Sequence, residues 1–246
     1  MKPRILIIGA SSGLGLKLSM KLASMGWTVG MAARRLAPLQ TVKNQYQRNV
    51  RISTIDITAP DARERMLNLI GEMGGMDILL NCAGIGWYNP DLEMRTDLET
   101  VRTNVDGFVT VVDTAFNYFA SNGKGGHIAA ITSVAGTNGI GVAASYSASK
   151  KFQNCYLDAL DQLSRVKGYG ICFTDIRPGF IRTPLLDPDT DYPGIMTVEE
   201  VVPQIIRAIQ HRDRVKYIDF RWHLLVKGWQ LIPQWLWRRL KIKLKD

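Results

Sequence analysis

Tyr146, Lys150 and Ser133 are the side chains best suited to moving a proton. Tyr146 and Lys150 bracket Tyr146-Ser147-Ala148-Ser149-Lys150, a spacing that puts both on one face of a helix. A tyrosine hydroxyl alone titrates near ~10, so exchanging its proton near neutrality requires a neighbouring cation, which Lys150 supplies. Ser133 ends an apolar run, where its hydroxyl can hydrogen-bond a substrate oxygen. Its surroundings, Ile131-Thr132-Ser133-Val134-Ala135, lack the Gly-x-Ser-x-Gly elbow of a hydrolase nucleophile. By itself Tyr-x-x-x-Lys also occurs on solvated helix surfaces, so its meaning depends on what surrounds it.

The second chemical feature is Gly9-Ala10-Ser11-Ser12-Gly13-Leu14-Gly15, directly after the apolar run Ile5-Leu6-Ile7-Ile8. Glycines between a strand and a helix let backbone approach a pyrophosphate, which the free N–H groups of the helix start then bind. An NAD site would place an acid about 20 residues later, on the ribose 2′-hydroxyl. The chain instead reads Ala32-Ala33-Arg34-Arg35, and its first acid is Asp56. Two guanidinium groups suit a 2′-phosphate, so the expected cofactor is NADP(H), with NADPH preferred over NADH. The bland alternatives are a tight turn and a solvated Arg pair.

Short apolar runs bounded by Gly, Pro, Asn or Asp predict strands at 4–8, 28–32, 51–55, 77–81, 127–132 and 171–176, and a last strand ending near Phe220. Helical periodicity predicts helices at 13–25, 59–73, 97–120, 146–167 and 198–211. The last opens with Thr197-Val198-Glu199-Glu200, a capping-box spelling. Alternating strands and helices imply an α/β fold with a doubly wound parallel sheet, the Rossmann arrangement. Residues 1–220 are read as the dinucleotide-binding and catalytic domain, and 221–246 as an amphipathic basic C-terminal segment.

The chain has 246 residues, 22% charged and 46% hydrophobic, enough for one large core without staples. Cys82, Cys155 and Cys172 are odd in number and widely spaced, which suggests neither disulfides nor zinc and fits a reducing, cytoplasmic setting. His127, His211 and His223 have no ligand spacing, so no metal is expected. No apolar run is long enough to span a membrane. The net charge of +9 is uneven: nine basic and no acidic residues up to 55, an acidic middle, then seven basic and one acidic from 221 onward. Local anion sites at each end fit this better than a nucleic-acid stripe.

Taken together, these features resemble the short-chain dehydrogenase/reductase family over residues 4 to about 210. The markers run in the family's order: Gly9 to Gly15, Asp56-Ile57, Asn81-Cys82-Ala83-Gly84, Asn104, Ser133, Tyr146 with Lys150, and Pro178-Gly179 followed by Thr183. The resemblance implies that Tyr146 acts as general acid in ketone reduction and that Ser133 holds the carbonyl oxygen. Lys150 would bind ribose hydroxyls and depress the Tyr146 pKa, while Asn104 would hold a water that relays protons. For the cofactor it implies Gly9, Ser11, Ser12, Gly13, Leu14 and Gly15 at the pyrophosphate and Arg34 and Arg35 at the 2′-phosphate. Asp56 and Ile57 would meet the adenine, Asn81, Ala83 and Gly84 the cofactor floor, and Pro178, Gly179, Ile181 and Thr183 the nicotinamide end. A homo-oligomer is implied as well. Ile8 stands where the family often has Thr, and Cys82 replaces its second Asn.

Trp87, Tyr88, the 134–142 stretch and the 180–196 stretch, read as a mobile lid, are the expected substrate walls. Their apolar composition suits a hydrophobic carbonyl or alcohol substrate, with a 3-keto lipid as one hypothesis. Four of the six tryptophans, Trp222, Trp229, Trp235 and Trp237, lie after residue 220 among Arg238, Arg239, Lys241, Lys243 and Lys245. They fit either a pocket cover or oligomer contact, or peripheral attachment at the inner membrane surface. A non-catalytic NADP(H)-binding sensor or scaffold is the alternative function, because the same fold serves both.

Overall fold

Ile5, Leu6, Ile7 and Ile8 are buried on both alternating faces, which only a strand in the middle of a covered sheet permits. In the computed structural model, which describes residues 2–186, 190 and 192–242, this strand (β1, Arg4–Ile8) is an interior strand of a seven-stranded parallel sheet. The others are β2 (Thr28–Ala33), β3 (Val50–Thr54), β4 (Ile78–Asn81), β5 (Gly126–Ile131), β6 (Ile171–Pro178) and β7 (Val215–Ile218), in the order β3-β2-β1-β4-β5-β6-β7. β1 pairs with β2 through Ile8↔Ala32 and with β4 through Ile8↔Asn81, so the strand order reverses between β1 and β4. A crevice opens there at the strand C-termini.

Helices cover both faces. α1 (Gly13–Ser24), α2 (Leu36–Gln45) and α7 (Val198–His211) bury Leu18, Leu39 and Ile205 against Ile5 and Ile7. On the other face α3 (Ala62–Glu72), α5 (Gly107–Asn122) and α6 (Ala144–Lys167) pack Met66, Phe108 and Leu157 against Leu6 and Ile8. Each such buried side chain contributes about 1.5–3 kcal/mol from water exclusion alone. The expected capping box of α7 is formed: Thr197 Oγ1 accepts from Glu200 N–H, and Glu200 Oε2 accepts from Thr197 N–H at 2.7 Å.

Two elements differ from the sequence reading. α2 was not expected, because Arg35 is no helix cap and Pro38 reads as a breaker, although Pro is tolerated in the first turn. The expected 97–120 helix is α4 (Met94–Val101), a π-helical segment (Arg102–Asp106) and α5, with Gly107 N–H donating to the Arg102 carbonyl. The added residue per turn is invisible to periodicity. Beyond β7, the C-terminal segment forms α8 (Phe220–Leu231) and, after Pro233, α9 (Gln234–Trp237). Among the described residues no helix is long and apolar enough to cross a membrane.

Candidate active site

The crevice between β1 and β4 opens into a cavity of about 1410 Å³. At its inner end the turn after β1 places Gly9 at φ +82°, and a Cβ there would lie 2.6 Å from the Ala83 nitrogen. A Cβ on Gly15 would collide with the Gly9 carbonyl oxygen. A side chain at Gly9 would strike the chain just after β4, and one at Gly15 would strike the turn itself. Ser12, the N-cap of α1, makes no capping hydrogen bond with its side chain, so the first N–H groups of that helix point to the cleft without a local acceptor. The exposed backbone here leaves room for an anion, and the residues present fit a dinucleotide.

Ser11, Gly13, Leu14, Arg34, Arg35, Asp56 and Ile57 line the same end. Arg35 reaches over the turn, donating to Ser11 Oγ from Nε (3.3 Å) and Nη2 (3.1 Å). Burial disfavours the Asp56 carboxylate, but hydrogen bonds from Thr58 N–H and hydroxyl and the charge of Arg34 outweigh it and hold its pKa below the usual range. Farther out the wall passes through Ala83, Gly84, Pro178, Gly179, Ile181 and Thr183. Asn81 and Asn104 do not line the cavity but brace it from behind. Asn81 Oδ1 accepts from Ala83 N–H at 3.3 Å, and Asn104 Oδ1 accepts from Ile85 N–H at 2.9 Å. Asn104 Nδ2 donates to the Ile85 carbonyl and to Ser149 Oγ.

The proton-handling groups meet at the centre. β5 ends just before Ser133, which adopts extended backbone, and the first turns of α6 bring Tyr146 and Lys150 alongside. Tyr146 and Ser133 are hydrogen-bonded, and Lys150 Nζ lies 5.8 Å from the Tyr146 ring centroid. Burial raises the Tyr146 pKa and the Ser133 hydrogen bond opposes it. The expected depression by Lys150 is therefore not what dominates: desolvation does, and the phenol is held protonated. Burial also pushes Lys150 down from 10.5 to about 8, against the attraction of Asp175 and Cys82. Cys82 is pushed up to about 12 by burial, which makes it a poor thiolate.

Apolar side chains form the outer walls, including Trp87, Val134, Phe180 and Leu186. The 180–196 stretch is fastened at its base, since Met196 N–H donates to the Phe180 carbonyl and Arg182 N–H to the Met196 carbonyl. Residues 187–189 and 191, including Pro188, lie outside the described residues, as do Lys243 and Lys245. The C-terminal tryptophans supply the far wall. Trp222 packs edge-to-face on Phe180 at 5.5 Å, and Trp229 sits between Trp222 and Trp237 at 6.5 and 5.6 Å. Gly179 admits the Trp222 indole, which any Cβ there would strike. Trp235 faces outward instead, 61% exposed.

With this geometry in view, comparisons with known proteins decide the family. The profile described as short chain dehydrogenase matches residues 3–192. An uncharacterized oxidoreductase of Myxococcus xanthus is 33% identical over 230 residues, covering 90% of this chain and 88% of that protein. This chain belongs to the short-chain dehydrogenase/reductase family. It is an oxidoreductase acting on CH–OH groups with NAD(P). The glycine betaine reductase of Emericella nidulans is 31% identical, but this chain spans only 18% of its length. Among solved structures, a short chain dehydrogenase from Burkholderia cenocepacia in complex with NADP superposes with TM-score 0.83, 22% identity and 98% of each chain covered. A 3-ketoacyl-(acyl-carrier-protein) reductase from Brucella melitensis complexed with NADH gives 0.77 at 22% identity, covering 89% of this chain and 97% of that one. These likenesses carry the fold.

Several side chains at the site were not singled out from sequence. Gln153 sits between Lys150 and Asn104. Asp175, fully buried on β6, pairs with Arg177 at 2.6 Å and accepts from Thr132 Oγ1. Gln153 had a visible signal, a polar residue three after Lys150 and seven after Tyr146 on the same helical face. Asp175 had none.

Proposed function

We propose that this oxidoreductase is an NADPH-dependent reductase of hydrophobic ketones. The carrying observation is the Tyr146 phenol, protonated and hydrogen-bonded to Ser133 beside Lys150, at the base of a cleft with apolar outer walls. NADPH, when bound, supplies a hydride. The chain's own part begins with binding: Gly9, Ser11, Ser12, Gly13, Leu14 and Gly15 hold the pyrophosphate, and Arg34 and Arg35 the 2′-phosphate. Asp56 and Ile57 border the adenine, Asn81, Ala83 and Gly84 shape the floor, and Pro178, Gly179, Ile181 and Thr183 position the carboxamide. Ser133 donates a hydrogen bond to the substrate carbonyl oxygen, and Tyr146 gives that oxygen its proton. Lys150 orients ribose hydroxyls and stabilises the tyrosinate left behind.

The tail supports a lipid-like substrate presented at a surface. α8 is apolar on two opposite faces: Trp222 and Val226 are buried against the core, while Phe220, Leu224 and Leu231 are 71%, 56% and 84% exposed. Lys227 shares that outer stripe. A helix with apolar side chains on two faces needs cover on both. Trp235, with Arg239 stacked 5.4 Å from its ring centroid, and Arg238 and Lys241 continue the surface. Indoles beside cations match an anionic lipid interface, and a cytoplasmic protein attached there would take its substrate at the pocket mouth.

The experiment is NADPH oxidation against ketones graded from short to long chain, with and without anionic vesicles, and with Tyr146→Phe as blank. Activity that depends on Tyr146 and rises with chain length and with vesicles is expected. Activity confined to short ketones overturns the lipid reading, and none with any ketone overturns the reductase reading.

A further inference from the structure

We propose that Gln153 is a positioning residue that fixes the Lys150 ammonium by bridging it directly to the Asn104 carbonyl. Gln153 is fully buried on α6. Its Oε1 accepts from Lys150 Nζ at 3.0 Å, and its Nε2 donates to the Asn104 carbonyl oxygen at 2.8 Å. Because that carbonyl can only accept, the amide has one allowed orientation, and its oxygen must face the lysine.

The second Lys150 hydrogen bond goes to the Ile131 carbonyl at 3.1 Å. Both partners are neutral oxygens. An ammonium has three donors, so two are spent on the protein interior and one is left for the cleft, which Lys150 lines beside Gly84. The charges that face Lys150 from surrounding elements are Asp175 on β6 and the Cys82 thiol after β4, with the Tyr146 phenol on its own helix. None of these is its hydrogen-bond acceptor. The Gln153 and Ile131 oxygens thus together aim the ammonium and favour its charged form, and Gln153 is the side-chain member of the pair.

The bridge also ties the active-site helix to the π-helical segment: the Asn104 carbonyl accepts from Gln153, and the Asn104 side chain is engaged with Ile85 and Ser149. The carbonyl keeps a second lone pair free for another donor.

The test compares wild type with Gln153→Met, which keeps volume without the hydrogen bonds, and Gln153→Glu, which places a negative charge on the lysine. The rate of Lys150 acetylation by acetic anhydride is followed by mass spectrometry from about pH 6 to about pH 11 on the full chain. The midpoint is expected to fall by about one unit in Gln153→Met and to rise by at least about one unit in Gln153→Glu. NADPH affinity, measured by fluorescence, is expected to weaken about tenfold in Gln153→Met. Superimposable midpoints in all three proteins, with only a lower Tm in the variants, would reduce Gln153 to packing and overturn the proposal. If Gln153→Met does not fold, the direction of the Gln153→Glu shift decides alone. The labelling uses neither cofactor nor ketone, so its failure is distinct from failure of the reductase reading.

Discussion

The Trp237 indole Nε1 donates a 2.8 Å hydrogen bond to the Gly139 carbonyl oxygen, joining α9 to the loop after β5 across 98 residues of sequence. That loop carries Val134 and Ile140 into the cavity, so the tail holds one substrate wall against another. Trp237→Phe, which removes only the hydrogen bond, is expected to cost about 1 kcal/mol in unfolding free energy by denaturant titration. Trp237→Ala removes the wall as well. It is expected to raise KM for a long-chain ketone about tenfold while leaving a short ketone within about twofold, in line with loss of about 1.4 kcal/mol of apolar contact.

Tyr146→Phe keeps the ring that Gly86 packs against and deletes the hydroxyl bonded to Ser133. Turnover is expected to fall by about 10²-fold or more, since general acid catalysis contributes roughly 10²–10⁴. NADPH affinity, read by fluorescence titration, is expected to stay within about threefold. Loss of turnover and binding together would show instead that the hydroxyl is a structural support.

Arg34 and Arg35 are exposed at the end of β2, with Arg35 already poised over the Gly-rich turn. Changing both to Ala is expected to weaken NADPH binding roughly 10²-fold, as expected for about 3 kcal/mol of charge-assisted hydrogen bonding. NADH affinity changes little. Raising the salt concentration narrows the preference in wild type, because exposed charges are screened.

His127 is buried on β5 with Nε2 2.8 Å from Thr174 Oγ1, and burial, then the Arg212 charge, lower its pKa from 6.5 to about 4. The unfolded chain takes up this proton below about pH 6.5, the folded chain only below about pH 4. Between those values the unfolded state binds more protons, so stability falls as pH falls, by roughly 3 kcal/mol across the window. Denaturant titrations from pH 7 to pH 4 should show this loss in wild type and a flatter profile in His127→Gln.

The parts of the fold legible from sequence are those where local pattern and tertiary role coincide. Ile5 to Ile8 are apolar because β1 is buried on both faces, and Thr197 to Glu200 spell a cap because α7 starts there. The π-helical segment at Asn104 is opaque because one extra residue in a turn leaves no trace in periodicity. Trp222 and Trp229 stand seven residues apart, two helical turns, but which face of α8 turns inward depends on the Phe180 ring and on the gap above Gly179. The Asp175 network joins β5, β6 and α6, and no spacing within one element announces it.

β1 lies inside the sheet and not at its edge, and that arrangement imposes an order on assembly as the chain grows. β1 has no neighbour on its β4 side until residue 81 has been made, and the crevice lacks its far wall until residues 222 to 237 arrive. A nascent chain can therefore shape its nucleotide cradle while its apolar substrate surface still lacks a cover. Over that interval the hydrophobic mouth is open to chaperones and to other chains, and the arrival of residues 222 to 237 is what retires it.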